Sequence, residues 1–60
     1  MSHIGNEIWL EAQLNDVEHE CEEGDFAAAW SIVRGVREFG FEDEALKLER
    51  IIRAAVALDR

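Results

Sequence analysis

The chain has 60 residues, six Lys or Arg against fourteen Asp or Glu, a net charge of −8 and a single cysteine. One cysteine excludes an internal disulfide, and the acidic balance weighs against direct binding of DNA or RNA, whose phosphates need the opposite sign. The longest clean apolar runs, such as residues 54–58, are too short to cross a membrane.

A chain this short buries only about 60% of its unfolded surface, so its stability is marginal without help. The hydrophobic fraction is 48%, too high for a disordered tail. With no disulfide to assist, self-association is the expected remedy. No basic segment followed by an apolar core opens the sequence, so the cytoplasm is the expected compartment.

Charge is unevenly placed. Residues 1–33 hold eight acids and no Lys or Arg, whereas residues 34–60 hold all six basic residues against six acids. There is no proline, and Gly24 and Gly40 divide the chain into three segments, each of which reads as a helix.

The first segment runs from about residue 6 to 23, with Asn6 as the expected N-cap. Leu10, Leu14, Val17 and Cys21 form one helical stripe. Ile4, Ile8 and Ala12 lie on another side with Trp9 between, and two apolar sides call for more than one packing neighbour. Gly24 fits the left-handed residue that ends a helix.

Asp25 is the expected cap of the second helix, residues 25–39, whose stripe is Phe26, Ala29, Val33 and Val36, widened by Trp30 and Ile32. Gly35 inside it marks either the close approach of another helix or a tolerated surface position. Gly40 ends this helix, and Phe41 can fold back on its last turn.

The third helix, residues 42–58, opens on Glu42, Asp43 and Glu44, the polarity its dipole favours. Phe41, Ala45, Leu48, Ile52 and Ala55 make its stripe, with Ile51, Val56 and Leu58 broadening it. Asp43–Lys47 and Glu49–Arg53 are spaced to pair along it. Short connections place neighbouring helices antiparallel. The expected architecture is therefore all-α: one domain spanning residues 1–60, three short antiparallel helices with Gly-terminated turns, assembled as a homodimeric bundle.

The stretch "EHECEEGDF", residues 18–26, concentrates what chemistry there is. His19 and Cys21 point about 200° apart on a helix and cannot face one ion together, and zinc wants four convergent ligands. No metal or cofactor is expected. Neither Cys21 nor Ser31 has a base placed to activate it, so no catalytic residue is assigned.

Binding surfaces remain. Glu11, Asp16, Glu18, Glu22 and Asp25 read as a solvated face, as a docking face for a basic protein, or as a mimic of a nucleic-acid backbone that occupies a basic groove. A purely structural self-association module is the other alternative. Ile4, Ile8, Trp9 and Ala12 are the interface candidates. Arg34 and Arg37 either pair with the acidic helix or are solvated.

"EGDFAAAWSIVRGV" resembles the second-helix half of a tetratricopeptide repeat, although the full 34-residue pattern is absent; it reflects a shared helix-hairpin habit. The longer stretches "MSHIGNEIWLEAQL" and "AWSIVRGVREFGFEDEALKLE" resemble the small acidic early-region proteins of lambdoid bacteriophages. That resemblance implies a helical, dimeric, non-enzymatic protein of the bacterial host cytoplasm. Such a protein would bias host physiology or the lytic–lysogenic choice through contacts with a host protein.

Overall fold

The computed structural model describes residues 3–59, with side chains from Gly5 onward. Three helices follow one another: α1 (His3–Glu23), α2 (Phe26–Glu38) and α3 (Glu42–Leu58), and the described residues contain no strand.

The two turns are built alike. At the first, Gly24 takes φ +81°, its N–H donates to the Cys21 carbonyl at 3.1 Å, and the Asp25 N–H donates to the Glu20 carbonyl at 2.8 Å. At the second, Gly40 takes φ +97°, with Gly40 N–H to Arg37 O at 2.9 Å and Phe41 N–H to Val36 O at 3.3 Å. Both are Schellman closures, which satisfy the last carbonyls of a helix and need a residue without Cβ penalty in the left-handed region. Each then hands the chain at once to the next helix.

Asp25 caps α2 as expected, its carboxylate accepting from the Ala28 N–H at 3.1 Å. Helix α3 starts without a side-chain cap; Glu42, Asp43 and Glu44 fill its first turn and offset the positive helix end. The cap expected at Asn6 is absent, because the chain is already helical from His3. Among the described residues no turn precedes Asn6, so there is no break for a cap to close, and the cost of about 1 kcal/mol for a helical glycine at Gly5 does not interrupt α1.

The core is small: Val17 from α1, Ala29, Val33 and Val36 from α2, and Ala45, Leu48 and Ile52 from α3. These residues come from the three expected stripes. Leu10, Leu14, Cys21, Phe26, Ile32, Phe41 and Ile51 pack half-buried around them. Trp9 joins this layer, its ring edge-on to Phe39 at 5.1 Å and tilted against Phe41 at 5.8 Å. Such aromatic pairs add about 0.5–1.5 kcal/mol beyond area burial. They tie α1 to the α2–α3 turn.

A chain of charges links α2 to α3. Arg37 bonds the Glu49 carboxylate and lies 3.6 Å from Glu42. Glu49 also meets Arg53 at 3.7 Å, and the Arg53 guanidinium lies 5.9 Å from the centre of the Trp30 ring. The hydrogen bond to Glu49 raises the Arg37 pKa further above its already high ordinary value. Arg37 therefore serves the α2–α3 contact and not the acidic helix. Arg34 is exposed and forms no ion pair among the described residues. The Glu49–Arg53 pair is present, but Asp43–Lys47 is not.

Candidate functional site

The acidic residues do not form a single face. Helical geometry, at roughly 100° per residue, puts Glu7, Glu11, Glu18 and Glu22 within an arc of about 60° on α1. All four are exposed. They make a ridge with no basic partner among the described residues.

Asp16, expected on that face, lies about 140° around the helix from Glu11. Asp25 is occupied as the α2 cap. The five-residue face thus contracts to Glu11, Glu18 and Glu22, with Glu7 added. A period of 3.6 separates residues that their shared sign had grouped.

Among the interface candidates, Ile8 is 64% exposed and Ala12 is exposed. Their i, i+3 and i, i+4 neighbours are Glu11, Asn15 and Asp16, so the outward apolar strip is narrow and hemmed by polar groups. Trp9 is packed within the chain against Phe39 and Phe41; its offset from the main stripe of α1 reaches these two rings at the second turn. The side chain of Ile4 lies outside the described residues.

An apolar recess lies elsewhere, between α1 and α3. Leu10 and Leu14 of α1 and Leu48 and Ile51 of α3 line a groove of about 320 Å³. Glu11 stands on the α1 side, with Glu44 and Lys47 on the α3 side. The acidic ridge therefore adjoins an apolar trough at Glu11, which belongs to both.

Sequence reasoning placed Leu10, Leu14 and Leu48 in core stripes and missed that they also floor an open groove. The available signal was Ile51, an apolar residue off the main stripe of α3.

Other apolar side chains stand out singly. Phe39 is 72% exposed despite its contact with Trp9, Leu58 is 87% exposed, and Leu46 and Val56 are also exposed. Trp30, expected within the packed stripe, sits at the surface beneath Arg53.

The rest of the "EHECEEGDF" stretch is quiet. His19 lies 3.8 Å from Glu23, both exposed. Burial, and then the nearby Glu18 carboxylate, push the Cys21 thiol pKa above its ordinary 9.0, so the thiolate needed for nucleophilic attack is scarce at neutral pH. Among the described residues, no three His, Cys, Asp or Glu side chains converge to hold a metal ion. No helix among them is long and apolar enough to cross a membrane.

No family model, no curated protein and no solved structure matches the chain.

Proposed function

We propose that this chain is a small non-enzymatic protein-interaction module that recognises a basic surface on another protein. One observation carries this reading: an acidic ridge on α1, without a basic counterpart among the described residues, meets an apolar groove at Glu11. Complementary charge steers the encounter and fixes orientation, while apolar contact supplies affinity. An antiparallel course of the three helices belongs to the proposal, supported by the short Schellman turns and by Trp9 meeting Phe39 and Phe41. The resemblance to early-region phage proteins favours a regulatory role in the cytoplasm of an infected bacterium.

The test is capture from bacterial lysate at moderate salt, with the wild-type chain and the triple variant Glu11→Gln, Glu18→Gln, Glu22→Gln side by side. A basic protein retained by the first and lost by the second is expected. Equal retention by both, or by neither, refutes the acidic ridge as the docking surface. A complex that dissolves sharply with added salt would identify a nucleic-acid mimic in a basic groove instead.

Self-association is the second reading, favoured by a core of only seven buried side chains among the described residues, of which two are alanines. A homodimer through Ile8 and Ala12 has few apolar groups to join, and a two-fold contact there brings the acids of both copies together.

A further inference from the structure

We infer that the α1–α3 groove is the seat for one amphipathic helix of a partner protein, with leucine-like residues on one stripe and Lys or Arg flanking it. The inference rests on the interaction-module reading and specifies its partner.

The floor fixes the first half of this description. Leu10 and Leu14 face Leu48 and Ile51 across an open trough, and a trough between two helices accepts the side-chain ridge of a third. Recognition of this kind is read through anchors at i, i+3, i+4 and i+7.

The walls fix the second half. Glu11 stands on the α1 side, continued along the same arc of α1 by the exposed Glu7 and Glu18, and Glu44 stands with Lys47 on the α3 side. A basic flank answers Glu11 and the ridge that continues it, where an acidic one meets repulsion; on the α3 side Glu44 and Lys47 offset each other.

A second copy fits poorly. Its own α1 is acidic throughout and would repel the ridge. A basic apolar strip on its α3 is Leu46, Arg50 and Arg53, about 140° around that helix from the groove-lining side. Seating that strip in the groove of another copy makes a head-to-tail contact, which gives a ring or a filament and not a two-fold dimer.

The probe is a fluorescent synthetic helical peptide of leucine and lysine, with leucines at that helical spacing, titrated into the full chain by anisotropy. A control peptide carries glutamate in place of lysine. Saturable one-to-one binding of the basic peptide alone is expected.

Exposed rim substitutions leave the fold intact, so they decide the site. Lys47→Glu should tighten binding and Glu11→Lys weaken it, each by about two- to fivefold. Leu14→Gln, checked for retained helicity, should weaken it about tenfold or more. Ile8→Gln, on the outer side of α1, should change nothing.

Binding that ignores both rim charges, or that Ile8→Gln weakens as much as Leu14→Gln, overturns the inference. So does a dimer of the free chain that Leu14→Gln dissolves, since a second copy then fills the groove. If the peptide fails at the groove while the triple glutamine variant still loses its captured partner, the interaction module stands and only the seat is wrong. Failure of both experiments removes the module as well.

Discussion

Gly35→Ala is expected to stabilise the protein, and the structure gives the size of the effect. Gly35 lies inside α2 with no other heavy atom within 4 Å of the place a Cβ would take, the helix's own nearby backbone aside. Its φ is not positive, unlike those of Gly24 and Gly40. Glycine costs a helix about 1 kcal/mol relative to alanine, chiefly through the greater freedom it allows the unfolded chain. With open space around it, the new methyl group adds no clash to set against that gain. For a domain this small, about 1 kcal/mol raises Tm by roughly 4–8 °C.

Thermal denaturation followed by far-UV circular dichroism, with both proteins at matched concentrations, measures the shift. An unchanged or lowered Tm would refute the reasoning. A loss that deepens with protein concentration would show that another helix approaches Gly35 from outside the chain, the alternative its position in the sequence also allowed.

Asp25→Ala removes the acceptor for the Ala28 N–H and should cost about 1 kcal/mol, seen as a lower denaturant midpoint with unchanged slope. Asp25→Asn should retain most of the stability; equal losses in the two variants would mean the cap bond contributes nothing. Cys21 should react with iodoacetamide more slowly than the same cysteine in the denatured chain around pH 8. Burial and then Glu18 raise its pKa, which lowers the thiolate fraction at that pH. The gap should narrow as pH climbs past the raised pKa, and Glu18→Gln should recover only the smaller part of it. Reaction as fast as in the denatured chain would contradict the buried setting.

The helices were legible because their signals are local. Gly24, Asp25 and Gly40 each specify a backbone conformation or a cap through their own side chain or its absence. Val17, Val33, Val36, Leu48 and Ile52 lie on stripes of helical period. Sites that depend on how helices meet were harder to read. Trp9 appeared to be spare because its partners, Phe39 and Phe41, are some thirty residues away in sequence and reach it only across a turn. Asp16 was grouped with Glu18 by sign, although two residues along a helix is nearly a half-turn. The groove has no local signature, since its walls come from the first and last helices. A leucine that faces the core looks the same in sequence as one at the edge of an opening.

The most direct measurement is methyl NMR of the full chain during titration with the leucine–lysine peptide. Docking in the groove predicts large shifts for Leu10, Leu14, Leu48 and Ile51, with Ile8, Leu46 and Leu58 unmoved. Shifts concentrated at Ile8 or Leu46, or spread evenly over all methyl groups, would contradict the α1–α3 groove as the functional surface.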